Sequence, residues 1–493
     1  MVRSENNACQ RDVEEYLMTR ENPKGKCNLD GKNIKRILIG FFLALMILFT
    51  STGDFGAQSL PKMDIDLAPY LEKIERLRKT PMRISITDKA GKPMSNVQVK
   101  IQQTSHSFFF GNAPEYLLFA YARFYYMRGG RFGTRPLPPE KIEEYKSLYL
   151  DLFNYATVPA FYWADYEPIP DRLPLLDATN QIVKWLNSNG VTVKGHTLVW
   201  GNPPSVGVPG WVQAMGSRGE WDGVRDALYR RVEREVNEFK GKIQMWDVVN
   251  EPIVQTWFDN IGSDYIGEMY SLVKQIDPNE TLVFNEFGVL VNDYTRQKFI
   301  KKAQALLQAG VPIDVIGVEA HIFNGKDLKN QLSMLNKIYS ALDELAVLGK
   351  PIHITEFQIP LPAVMEAFGV DTATAEQLQA EIARIFYTVF FSHPAVEAII
   401  YWNFYRAWQP GSGFLRDDLT LKPIYFVLKD LIHREWKTLF EGVADETGQL
   451  SFTGFPGAYK VTVRLPDGKE EDFTIQVMTT GNSYLSLTIS DPS

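Results

Sequence analysis

Between residues 108 and 404 short apolar runs alternate with amphipathic stretches. The apolar runs, at 108–113, 153–163, 191–200, 243–251, 282–287, 315–322, 352–359 and 398–404, have the length and near-continuous hydrophobicity of strands buried on both faces. In the stretch after the third run, Val224, Leu228, Val232, Val236 and Phe239 recur at spacings of three and four. That is one apolar stripe on a helix lying against a sheet. Residues 299–307 and 332–345 repeat the pattern. Eight strand–helix units in succession predict an α/β protein closed as a (β/α)8 barrel. An open doubly wound sheet is the structural rival, but no glycine-rich phosphate loop follows any of the strands.

The flanks have a different period. Residues 81–104 alternate apolar and polar, with Met82, Ile84 and Ile86 on one run and Val97, Val99 and Ile101 on the next. The intervening turn, Asp88 to Pro93 with Gly91 inside it, predicts a β-hairpin. Residues 439–489 continue in the same style, with turn signals at 445–448 and 454–457. Neither flank has enough strands for a stable sandwich, so the two are expected to pair into one small accessory β-sandwich with the barrel inserted between them. Together they resemble the transthyretin-like accessory fold; two separate strand-rich caps are the alternative. The expected divisions are 1–57, 78–105, 106–436 and 437–493.

Composition narrows the function classes. Of 493 residues, 45% are hydrophobic and 23% charged, enough to bury a large core. The formal net charge of −7, without a basic run, argues against nucleic acid. Cys9 and Cys27 both precede the apolar run 37–49, which follows Lys32, Lys35 and Arg36. This order reads as a secretory signal, with a membrane anchor through 37–49 as the alternative. The expected location is accordingly secreted or cell-envelope. Cleavage after the run would leave no cysteine, and none of the six histidines forms an HExxH or close pair, so neither metal nor cofactor is expected.

Candidate chemistry gathers at the strand ends, which in a barrel share one rim. Strand three ends in His196 to Trp200, strand four in Asn250-Glu251, strand five in Asn285-Glu286, and strand six in Glu319-Ala-His321. Strand seven ends in Glu356, and strand eight in Trp402, with Trp408 soon after. Glu251 and Glu356 stand 105 residues apart, room for about three strand–helix units. Two carboxyls facing one another across a cleft are what cleavage of a glycosidic bond requires, one to protonate the leaving oxygen and one to meet the sugar carbon. The high aromatic content suits a carbohydrate ligand, since aromatic faces stack on sugar rings. Strand alternation turns Asp247 away from the neighbours of Glu251, which makes it structural.

The segments Phe110-Gly-Asn-Ala113, Gly195-His-Thr-Leu-Val-Trp200, Trp246-Asp-Val-Val-Asn-Glu251, Phe284-Asn285, Ile354-Thr-Glu356 and Trp402 through Lys422-Pro423 resemble glycoside hydrolase family 10, the xylanase family with this barrel. The resemblance spans about 108–436. It implies Glu251 as general acid/base and Glu356 as nucleophile. It further implies Asn250 on a sugar 2-hydroxyl, His321 on the nucleophile, and Trp402 and Trp408 as walls of the sugar site. His196 and Trp200 complete the implied substrate-binding set. The expected partner is a polysaccharide, xylan or a related plant cell-wall glycan.

The departures are concentrated in the sugar-gripping positions. Gly201 stands where the family has His, Tyr162 where it has Lys, Glu319 for Gln, Glu286 for Asp, and Gln358 for Asp. Losing hydroxyl donors changes substrate discrimination. Three readings follow: a retaining endo-β-1,4-xylanase-like hydrolase, a glycosidase for another β-linked or decorated glycan, and a carbohydrate-binding paralogue with little turnover. The β-module could bind polysaccharide or brace the barrel; lacking an aromatic strip, it is expected to brace.

Overall fold

The computed structural model describes residues 60–122, 138–406, 408–478 and 483–490. The expectations for 1–57, including the run 37–49, lie outside the described residues. Among the described residues no helix is long and apolar enough to cross a membrane.

The barrel strands are β3 (Phe109–Asn112), β4 (Tyr155–Val158), β5 (Thr192–Gly195), β6 (Val199–Trp200), β7 (Met245–Asn250), β8 (Thr281–Glu286), β9 (Val315–His321), β10 (Ile352–Gln358) and β11 (Val396–Tyr401), following β1 (Thr80–Thr87) and β2 (Gln98–His106). All barrel pairings are parallel and run β5-β4-β3-β11-β10-β9-β8-β7, with β5 also pairing β7 to close the ring. The expected third strand is broken in two, β5 and β6, across the cis His196–Thr197 peptide. The second strand is shorter than expected: after Val158 the chain turns and enters a helix at Trp163–Tyr166. The stripe on Trp221–Phe239 is buried at all five anticipated positions. The periodic stretch 332–345 holds two helices, Gly325–Ser333 and Leu335–Ala346, divided at Met334.

The flanking strands form the two sheets of the accessory sandwich with β12 (Leu439–Val443), β13 (Gln449–Gly454), β14 (Gly457–Arg464), β15 (Glu470–Val477) and β16 (Ser483–Thr488). One sheet runs β13-β1-β16 and the other β12-β2-β14-β15. The expected hairpin of β1 with β2 does not form, because the two strands belong to opposite sheets. Each carries a single apolar stripe, and facing sheets bury both at once, whereas a two-stranded ribbon would expose one side. Met82, Ile84 and Ile86 thus meet Val97, Val99 and Ile101 across one core.

A helix at Ala68–Leu77, which the hydrophobic pattern had not suggested, leads into β1. The Arg78 guanidinium after it donates to the carbonyls of Phe391 and His393 at the end of helix Thr372–Ser392 and to that of Val396, which opens β11. The first two are orphan carbonyls of a helix C-terminus, which a cation satisfies. On the same seam Trp436 stacks on Phe391 at 4.1 Å and on Phe110, in β3, at 5.8 Å. Phe455, in the turn between β13 and β14, meets Phe391 at 5.8 Å, so the barrel and the sandwich share an aromatic joint. Trp436→Ala is expected to cost about 3–5 kcal/mol of unfolding free energy by denaturant titration.

Inside the barrel, burial pushes the pKa of His353 down to about 3, helped by nearby Lys194 and opposed by Asp247. The unfolded chain takes up this proton below about pH 6.5, while the folded chain resists until much lower pH. Stability is therefore complete above about pH 6.5 and lost on acidification, by about 2–3 kcal/mol at pH ~4.5 from this group alone. Unfolding titrations at both pH values should find a shallower loss, by about one proton, in His353→Gln.

Candidate active site

The strand ends enclose an open cavity of about 390 Å³ lined by Glu115, Tyr162, His196, Trp200, Asn250, Glu251, Glu319, His321, Glu356, Trp402 and Trp408, among others. All eight site residues expected from the sequence line it.

Glu251 follows the last residue of β7 with a backbone φ of 54°. A left-handed conformation is unfavourable for a side chain with a Cβ, and such strain collects at functional sites. Its N–H donates to the Asn285 carbonyl at 2.9 Å, and its Oε2 accepts from Trp200 Nε1 at 2.9 Å. Burial raises the pKa of Glu251 and the charge of Glu356 adds to that, while the Trp200 hydrogen bond opposes it. The result is a carboxyl inclined to hold its proton, the condition of a general acid.

Glu356 sits within β10, opposite Glu319 of β9. Its Oε2 lies 3.1 Å from His321 Nε2, and its Oε1 lies 3.9 Å from His196 Nε2. His196 is held from behind, where its Nδ1 meets Asp247 Oδ2 at 2.8 Å. The same oxygen takes the buried Lys194 ammonium at 2.7 Å. Asp247 is thus not turned away from the site: it lies inside the barrel and orients a histidine that faces Glu356. The β7–β8 register shifts between Asp247 and Val249, so simple alternation fails there.

Asn285 organises the floor. Its Nδ2 donates to Asn250 Oδ1 at 2.7 Å and to Glu319 Oε1 at 2.9 Å, and its Oδ1 accepts from Thr355 Oγ1 at 2.6 Å. With its oxygen so engaged, Asn250 has its amide N–H groups left to donate. The arrangement requires Gly317, where a Cβ would fall 2.4 Å from Asn285 Oδ1. Asn285 was not on the expected list, although its place beside Asn250 at the end of the next strand marked it.

The departures have structural causes. At Gly201 a Cβ would fall 2.7 Å from the Gln255 carbonyl, so main chain fills the space a side chain would use. Tyr162 places its ring edge-on to His196 at 5.4 Å and 5.6 Å from Trp200, an aromatic wall where a lysine was expected. Glu286 accepts from the N–H groups of Ile253 and Phe287, and burial pushes its pKa up to about 8. It fixes the loop that leaves Glu251.

At the other wall Trp402 meets His196 edge-on at 5.3 Å. Trp408 meets His321 at 5.7 Å and Phe323 at 6.2 Å. Trp408 and Phe323 remain 38% and 41% exposed, apolar faces available for stacking. Glu115, which the sequence reading passed over, accepts from Asn403 Nδ2 at 2.8 Å at the cavity edge.

One group among the described residues, Glu319, His321 and Glu356, brings ligand-type atoms within 4.8 Å of one another. Its atoms already serve hydrogen bonds, between His321 and Glu356 and from Asn285 to Glu319.

The sequence model of glycosyl hydrolase family 10 matches residues 139–430. Anti-sigma-I factor RsgI6 of Acetivibrio thermocellus is 28% identical over 430 residues, 85% of this chain and 49% of that protein. Endo-1,4-beta-xylanase 2 of Arabidopsis thaliana is 26% identical over 70% of this chain and 30% of its own length. Endo-1,4-beta-xylanase B of Thermotoga neapolitana is 28% identical over 52% of this chain and 73% of its own. The chain thus spans half or less of the first two relatives. Among solved structures, xylanase 10B of Thermotoga petrophila in complex with xylobiose superposes with a TM-score of 0.53 at 25% identity, covering 67% of this chain and 95% of that one.

Removing the Trp200 donor should raise the pKa of Glu251 further. In Trp200→Phe the alkaline limb of kcat/KM on any turned-over glycoside is expected to move to higher pH, read from the full pH–rate profile.

Proposed function

Because this chain belongs to glycosyl hydrolase family 10, we propose that it hydrolyses internal β-1,4 bonds of xylan or a related plant glycan by double displacement with retention. The carrying observation is that, among the carboxyl groups lining one cavity, Glu251 and Glu356 stand in unlike surroundings. Glu251 is buried, raised and hydrogen-bonded by an indole; Glu356 is braced by two histidines. Unlike environments divide acid from nucleophile. Glu356 attacks the anomeric carbon while Glu251 protonates the leaving oxygen. Forming the glycosyl ester removes the Glu356 charge that helped hold the proton on Glu251. Glu251 then serves as base toward water. The Asn250 amide donates to the sugar 2-hydroxyl, a bond that strengthens as charge develops at the anomeric carbon. Trp402 walls the reacting sugar, and the exposed faces of Trp408 and Phe323 offer stacking beyond it.

A second reading, glycan binding with little turnover, is favoured by Tyr162 and Gly201 standing where hydroxyl donors were expected. It is also favoured by a relative aligned over 85% of the chain that is named for anti-sigma activity.

Reducing-sugar release from a panel of xylans, glucans and mannans distinguishes the two. The hydrolase reading expects oligosaccharide products from at least one glycan. It further expects Glu356→Gln to lower kcat by roughly 10³-fold or more and Glu251→Gln by roughly 10²–10⁴-fold on unactivated glycan. Binding by calorimetry without products from any of them would favour the second reading.

A further inference from the structure

We propose that Glu319 works as an uncharged, proton-bearing carboxyl, a positioning residue that leaves the His321 N–H and the single negative charge of the nucleophile pair to Glu356. The proposal deepens the hydrolase reading above and rests on it for its kinetic consequences.

The geometry carries it. Glu319 is 3% exposed. Its Oε1 accepts from the Asn285 amide, and its Oε2 lies 3.6 Å from His321 Nε2, the same nitrogen that stands 3.1 Å from Glu356. One N–H cannot serve two anions equally, and the shorter contact is to Glu356. The charges acting on Glu319 are those of Glu356, its ladder partner on β10, then Glu251, Glu286 and Asp247 at the neighbouring strand ends, and His321 on its own strand. Four of these five are acids. The buried Lys194 ammonium of β5 is committed to Asp247, at 2.7 Å. A second anion beside Glu356 would thus be desolvated, repelled and unpaired, and a buried carboxyl so placed keeps its proton. Burial and the surrounding acids accordingly hold the pKa of Glu319 well above the carboxylate range. A carboxylic acid held neutral at working pH can act as a hydrogen-bond donor.

The arrangement also accounts for a paired departure. The resemblance puts a neutral amide at 319 and an acid at 358; this chain has Glu319, two residues before His321 on β9, and Gln358, paired directly across from His321 on β10. A protonated Glu319 supplies an amide-like neutral group, and Gln358 removes the other charge. The site near His321 then carries one anion, Glu356.

Infrared spectroscopy of the whole chain tests this without requiring turnover. In the wild-type minus Glu319→Gln difference spectrum at pH 7, a carboxylic-acid C=O band is expected. Carboxylate bands in its place would overturn the proposal. Gln is isosteric and keeps an oxygen for Asn285, so the variant should fold. A kinetic arm uses the best glycan from the panel. An ionised Glu319 would repel the proton-free form of Glu251, so removing its charge would move the alkaline limb of kcat/KM down. A downward shift of half a pH unit or more in Glu319→Gln overturns the proposal, and a smaller one supports it. If no glycan is cleaved, the hydrolase reading fails while the infrared result still decides the state of Glu319.

Discussion

The side chain of Asn285 ties three barrel strands together at the point where the chemistry is assembled. One amide receives from Thr355 on β10 and gives to Asn250 on β7 and Glu319 on β9. Asn285 is itself fully buried, so each of these bonds is made where water cannot substitute. The bonds fix which end of Asn250 faces the cavity and hold Glu319 against Glu356. Glycine at 317 is the condition for it, because any larger residue would occupy the space of the Asn285 oxygen.

The second constraint is electrostatic. A closed parallel barrel brings all strand ends to one rim, and this chain ends four of its strands in acids or their neighbours. Charge in so small a volume is sustainable only if some groups are paired and others keep their protons. Asp247 is paired, with Lys194 and His196, and its pKa is held down by them against the penalty of burial. Glu251, Glu286 and Glu319 are raised, each with burial as the largest cause. That division leaves Glu251 inclined to hold its proton at the cavity.

The accessory sandwich acts on the barrel from the opposite direction. Its helix and first strand deliver Arg78 to the carbonyls ending a long barrel helix, and its Phe455 packs on Phe391 of that helix, which Trp436 in turn stacks to β3. β3 is the strand that pairs β11 and β4, so the joint supports the arc of the ring where the N-terminal and C-terminal parts of the barrel meet.

Local pattern alone determined the strand count, the helical stripes and the two glutamates. Buried parallel strands are continuous apolar runs, and polar residues at their ends stand out against them. Glu251, Glu356, His321 and Asn250 were legible for that reason. Tertiary structure decided what depends on register and on partners far along the chain. It turned Asp247 into the barrel through a shifted ladder and made Asn285 a hub by bringing three strand ends within hydrogen-bonding distance. It also put β1 and β2 in opposite sheets, because two apolar stripes are buried best face to face. The protonation of Glu319 belongs to the same class. A glutamate in sequence is an anion by default, and only the low-dielectric company of other acids, gathered by ring closure, makes the neutral form the stable one.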